Sequence, residues 1–137
     1  MLKAIGEAQV SLLVAAYQYT EPDITAAVLS AAKRGVKVAV ILDRTQKNKQ
    51  PQADLVAAGV ECRIAQNYKI MHHKFLVIDG RSVENGSFNY TTNADKANAE
   101  NALYISDNPG LASKYADEWE KVKSTSLPCS GIATAGS

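Results

Sequence analysis

His72 and Lys74 stand two residues apart, and after a short apolar run the chain continues into Gly86-Ser87-Phe88-Asn89. A neutral imidazole is nucleophilic at pH 7 without first losing a proton, an ammonium is a fixed positive charge with three donors, and hydroxyl and amide groups add neutral polar contacts. Those are the types needed to attack a phosphodiester, neutralise its oxygens and shape the pocket around it. In a strand, His72 and Lys74 point to one face, and Ser87 and Asn89 repeat that geometry on a second strand. Between the two pairs, Asp79-Gly80 is a hairpin-turn signal, so the spacing predicts four polar side chains converging from adjacent strands.

His72-x-Lys74, then Asp79, then Gly86-Ser87-x-Asn89 resembles the HKD motif of the phospholipase D superfamily, in the form carried by its small bacterial endonucleases. Similarity extends over residues 12 to 42, Glu100-Asn101-Ala102 and the surroundings of Trp119, and covers residues 4 to 124 in all. The resemblance implies that His72 attacks phosphorus to give a phosphohistidine that water then cleaves. It implies phosphate contacts from Lys74 and Asn89, a supporting hydrogen bond from Ser87, and a Glu100 carboxylate that holds a histidine ring. It also implies a homodimer with a shared site, because the family faces two motif copies across a two-fold axis and this chain carries one.

Other residues are read against these. His73 points away from the His72 face and is structural, which disfavours a His72-His73 metal pair. Asp79 belongs to the motif, yet its odd separation from His72 and its place at the hairpin tip give it a structural role, as for Gly86. Gly86-Ser87-Phe88-Asn89 is not the Gly-x-Ser-x-Gly elbow, so Ser87 is not read as a nucleophile. No set of His, Asp and Glu has metal-ligand spacing, and neither a metal nor a cofactor is expected. Arg44, Lys47, Lys49 and Lys69 fall in loops at the C-terminal strand ends, where open α/β sheets take ligands, and are the expected contacts to a nucleic-acid backbone, DNA or RNA.

The elements that must position these residues are legible from periodicity. Residues 2 to 7 read as a short helix and residues 9 to 17 as a strand apolar on both faces, which belongs inside a sheet. Thr20 as N-cap and Pro22 in the first turn open a helix with Ile24, Val28 and Ala31 or Ala32 on one face, ended by Gly35. A buried strand over 36 to 43, a helix over 53 to 58 stopped by Gly59, and an alternating strand through Val60, Cys62 and Ile64 follow. The catalytic hairpin spans 72 to 78 and 82 to 86, a loop 91 to 99, and a last strand 101 to 106. Pro109 starts a helix with Leu111, Tyr115, Trp119 and Val122 as its apolar stripe. The expected fold is therefore α/β: a phospholipase D-like mixed β-sheet flanked by helices over residues 1 to 124, with a flexible Ser/Gly/Ala/Thr tail over 125 to 137.

With 137 residues the chain has room for one domain, and a net charge of +1 leaves nucleic-acid binding to a local patch. Cys62 and Cys129 make neither a zinc pattern nor a disulfide framework and are read as bystanders. No stretch is long enough to span a membrane, and the N-terminus carries no export signal, so the chain reads as soluble with its compartment open. Since the family's small nucleases are usually exported, the N-terminus is read as shortened. Two other functions compete with a nonspecific endonuclease. Lipid phosphodiester hydrolysis or transfer is opposed by the single motif copy and the lack of an amphipathic membrane helix. A noncatalytic nucleic-acid-binding module is opposed by the intact motif residues.

Overall fold

A computed structural model describes residues 2–16, 22–43, 50–66, 75–86 and 102–129. In chain order the elements are α1 (Leu2–Glu7), β1 (Ser11–Ala16), α2 (Pro22–Lys33), β2 (Lys37–Asp43), α3 (Gln50–Ala57), β3 (Glu61–Ala65), β4 (Phe75–Ile78), β5 (Ser82–Gly86), β6 (Ala102–Ile105), α4 (Pro109–Lys123) and β7 (Leu127–Pro128). One mixed sheet has the order β6-β5-β4-β1-β2-β3-β7. β1 pairs parallel with β2, and β2 with β3; β4, β5 and β6 extend the sheet antiparallel on the other side of β1.

Strand alternation divides the core into two layers. Leu12, Val14, Val38, Val40, Leu42, Leu76 and Ile78 pack with Ile5 of α1, Val28 and Ala31 of α2 and Leu55 of α3. The intervening residues Ala15, Ala39, Ile41, Ala65, Phe75, Val77 and Val83 pack with Ala112, Trp119 and Val122 of α4. β1 therefore does what its two-sided apolarity predicts and lies inside the sheet, covered on both faces. Gly35 and Gly59 follow α2 and α3 with φ of +94° and +79°, the left-handed conformation in which glycine carries no Cβ penalty. Asn108 caps α4 by accepting from the Leu111 amide at 3.1 Å, with Pro109 in the first turn. Thr20, expected as the N-cap, lies outside the described residues, as does the side chain of Ile24.

Two expectations are corrected at the C-terminal end. Cys62 and Cys129 are not bystanders: they form a disulfide with a Cα–Cα distance of 5.3 Å. The strand near 101 to 106 is not the last either. After α4 the backbone turns and Leu127–Pro128 pairs antiparallel with Arg63 and Ile64 as β7. The physical reason is long-range: Arg63 donates from Nε to Ser126 Oγ at 2.8 Å and from Nη2 to the Ser126 carbonyl at 3.0 Å, while Lys123 pairs with Glu61 at 2.9 Å. Closing a loop across a separation of 67 residues restricts the unfolded chain by about 4 kcal/mol in the chain-entropy account.

Trp119 fixes α4 to the centre of the sheet, its buried Nε1 donating to the Val14 carbonyl of β1 at 3.0 Å. Trp119→Phe removes that bond and some volume, and should cost about 1–3 kcal/mol. Trp119→Ala also opens a cavity and should cost about 3–5 kcal/mol. Urea unfolding at constant m-value checks both; equal costs for the two variants would show that the indole contributes through its N–H alone.

Candidate active site

The strand directions bring one end of the sheet together as an attachment rim. β1, β2 and β3 run parallel and finish there at Ala16, Asp43 and Ala65. β4 is antiparallel to β1, so Phe75 begins at that same rim; β5 reverses again and ends there at Gly86, paired with Ala102 at the start of β6. Phe75 lies opposite Asn85 on one side and opposite Ala15 on the other. Adjacent strands stand about 4.8 Å apart, so the start of β4 and the end of β5 stand side by side at this rim.

His72 and Lys74 precede Phe75, Ser87 and Asn89 follow Gly86, and Glu100 precedes Ala102 by two residues. Arg44, Lys47 and Lys49 follow Asp43, and Lys69 lies between Gln66 and Phe75. All nine lie outside the described residues, as does His73. What the structure describes is the rim to which every one of their segments is joined. Sequence reading did not single out Asp43, a carboxylate only 1% exposed at the β2 end of this rim. Its signal is a charged residue closing the apolar run Val38-Ala39-Val40-Ile41-Leu42.

Asp79 and Gly86 are described, and neither presents a reactive group to the rim. Asp79 sits at the far end of β4, in the hairpin turn closed by the Arg81 amide donating to the Ile78 carbonyl at 3.0 Å. Asp79 and Gly80 have φ of +56° and +66°, the positive values that mirror-image hairpin turns require. The Asp79 Oδ1 accepts from the amides of Gln9, Val10 and Ser11 at 3.0, 2.7 and 3.1 Å, while its own amide donates to the Ser11 carbonyl at 2.8 Å. Burial by itself pushes this carboxyl up, but the Val10, Ser11 and Gln9 amides and the Arg81 charge outweigh it, holding Asp79 below the usual carboxylate value. The carboxylate is a clamp on the start of β1.

The hairpin is anchored further by the α4 side of the sheet. Phe75 meets Tyr115 edge to face with ring centroids 5.1 Å apart, directly beside the residues that lead to Lys74. At the turn, the Arg81 guanidinium binds the Asp107 carboxylate, the Asn108 amide donates to the Arg81 carbonyl and the Asp107 amide donates to Ser82 Oγ. Hydrogen bonding and then charge from Asp107 raise Arg81 above its ordinary value. Among the described residues no group of three or more His, Cys, Asp or Glu could hold a metal ion, and no helix is long and apolar enough to cross a membrane.

Comparison with known proteins agrees with this architecture. The family description "Cardiolipin synthase, PLD-like domain" matches residues 1–123. The crystal structure of a phospholipase D family member, Nuc from Salmonella typhimurium, superimposes with a TM-score of 0.88 at 34% identity, covering 93% of this chain and 86% of that one. A protein named phospholipase D from Rickettsia prowazekii is 38% identical over 128 residues, and a mitochondrial cardiolipin hydrolase from Chlamydomonas reinhardtii is 36% identical over 123. The chain spans 62% and 55% of the lengths of those two relatives. It belongs to the phospholipase D superfamily, and its mixed sheet flanked by helices is the fold of that family.

The Asp79 clamp has a measurable pH signature. Its folded pKa is depressed, so the stability it contributes is present above the unfolded value near 4 and is lost as pH falls through the folded value. Asp79→Asn keeps a residue that tolerates positive φ and should destabilise by about 1–2 kcal/mol at pH 7, with Asp79→Ala costing more because it also strains the turn. The wild-type advantage over Asp79→Asn should shrink in urea titrations repeated below about pH 4. An advantage unchanged down to pH 2 would contradict the clamp.

Proposed function

We propose that this chain is a metal-independent phosphodiesterase, a nonspecific endonuclease that cleaves DNA, and RNA where it is offered, through a phosphohistidine on His72. The observation that supports the reading is the pairing of Phe75 with Asn85, which puts the points to which His72-x-Lys74 and Ser87-x-Asn89 are joined in sequence on neighbouring strands at one rim. In the proposed reaction the neutral His72 imidazole attacks phosphorus, a P–N bond forms and the P–O bond to the leaving sugar oxygen breaks. Lys74 and Asn89 hold the equatorial oxygens, Ser87 supports the phosphate contact, and Glu100 orients the ring that becomes imidazolium. Water then displaces histidine from phosphorus.

A group must protonate the leaving oxygen in the first step and take a proton from water in the second. With one motif copy per chain, we assign that group to His72 of a second copy, making the enzyme a homodimer with one composite site. Arg44, Lys47, Lys49 and Lys69, on segments joined to the same rim, are assigned to the nucleic-acid backbone, which favours binding with little base preference. Lipid phosphodiester hydrolysis is the second reading, favoured by relatives named phospholipase D and cardiolipin hydrolase. Support for the nuclease is the match that covers 86% of the Salmonella chain, against little more than half of the cardiolipin hydrolase.

Purified protein with plasmid DNA, RNA and cardiolipin vesicles in separate reactions, all with excess chelator, distinguishes these readings. Nucleic-acid cleavage should persist. His72→Ala should lower it by roughly a thousandfold or more, with His73→Ala active. Cleavage of lipid alone would replace the nuclease reading with the lipid one, and loss of activity restored by a divalent cation would overturn the mechanism.

Mixing tests the composite site independently. Co-refolding wild-type chains with a tenfold excess of His72→Ala chains should leave about 1% of the activity of an equal total of wild type, because only wild-type pairs hold a complete site. Activity near 9%, in proportion to the wild-type fraction, would show that each subunit acts alone.

A further inference from the structure

Beyond the Arg63–Ser126 bonds and the Lys123–Glu61 pair, the Cys62–Cys129 disulfide is the covalent hold on the segment after α4. β7 has two residues, and one of them, Pro128, has no amide hydrogen to give the ladder. Leu127, the other, is 49% exposed, so its side chain adds little burial. In the β3–β7 register Arg63 faces Pro128 and Ile64 faces Leu127, which makes Cys62 opposite Cys129 the next rung, at a separation suited to a cross-strand disulfide. Both cysteines are buried, 6% and 1% exposed, in the cluster that contains Leu55, Val60 and Ile64. The family match ends at residue 123, so this attachment lies beyond the part of the chain that the family description covers.

We propose that the disulfide is a redox-operated clamp on the β3 edge. When it is closed, the segment after α4 is part of the sheet; when it is open, that segment leaves the sheet while the rest of the domain stays folded. Opening takes two electrons and two protons from a dithiol, which becomes a disulfide, and leaves thiols on Cys62 and Cys129. Closing reverses this, transferring both electrons to a disulfide oxidant. The bonds that hold the rest of the domain do not involve either cysteine: Trp119 donates to Val14, and Asp79 accepts from the start of β1. A chain whose edge is finished by a disulfide suits a compartment that keeps dithiols oxidised, and in a reducing one it would carry a bare β3 edge.

The test uses the full chain, oxidised or treated with dithiothreitol, beside the Cys62→Ser/Cys129→Ser double variant. Oxidised protein should show no free thiol after denaturation and reduced protein two. Trypsin should cut the bond after Lys123 at least about tenfold faster in the reduced chain and the double variant than in the oxidised chain, with cleavage scored after quenching, denaturation and full reduction of every sample, on a scale set by local opening. The melting temperature should fall by roughly 10 °C, with the buried Trp119 fluorescence retained at 25 °C. Equal proteolysis and equal melting in both redox states would overturn the clamp, as would two free thiols in protein purified without reductant. Loss of the Trp119 signal at 25 °C on reduction would overturn it too, since the disulfide would then hold the whole domain. None of these readouts depends on the nuclease reading.

Discussion

A single carboxylate sets the register on which the candidate site depends. Asp79 Oδ1 accepts from three successive amides at the start of β1, and the Asp79 amide gives a bond back to Ser11. These bonds hold β4 opposite β1 with Leu12 facing Ile78 and Ala15 facing Phe75. A slip by one residue would reverse the faces of Phe75, Leu76, Val77 and Ile78, all buried, and expel apolar side chains from both layers at once. The motif aspartate thus acts at the opposite end of the strand from the motif histidine and lysine, by fixing where their segment meets the sheet.

The change of strand direction at β1 explains why the start of β4 and the ends of β1, β2, β3 and β5 share a rim. On one side of β1 lie parallel β2 and then β3, each preceded by a helix, and on the other lie antiparallel β4 and then β5, which a tight hairpin joins to each other. Chain termini of both kinds of strand then fall at one end, and the place where connections diverge is where open sheets take ligands. Helix α4 closes the layer behind that end, with Trp119 bonded to β1 and Tyr115 against Phe75. Packing against Phe75 matters because it fixes the residue that follows Lys74 in the chain.

Elements with strong local signals were legible in the sequence. The Asp79-Gly80 turn, the glycines that stop α2 and α3, and the stripe of Leu111, Tyr115, Trp119 and Val122 all carry their physical cause within a few residues. A structural role for Asp79 was expected from parity, but its hydrogen-bond donors were not: the Gln9, Val10 and Ser11 amides lie about 70 residues away, and nothing local marks them. The same holds for the disulfide. A two-residue strand has no periodicity to read, and Cys129 sits among small polar residues whose composition resembles a loose tail. Its partner is defined only once Arg63 and Ser126 have brought β7 to β3. For α3, sequence placed the start at residue 53, whereas Pro51 stands in the first turn of a helix that begins at Gln50. His72, Lys74, Ser87, Asn89 and Glu100 remain assignments from type, spacing and family, supported by the rim that their segments share.

The central claim is that a histidine of this chain is covalently phosphorylated during turnover. Rapid acid-free quenching of the enzyme with a labelled phosphodiester substrate in excess chelator, followed by alkaline peptide mapping, tests it directly. The account predicts an adduct on the peptide that contains His72, with phosphorus bonded to the imidazole and still esterified to the retained part of the substrate, stable to alkali, lost on brief acid treatment, and absent from His72→Ala. Turnover with no protein-bound label at any time, or a label on a serine that survives acid, would contradict it.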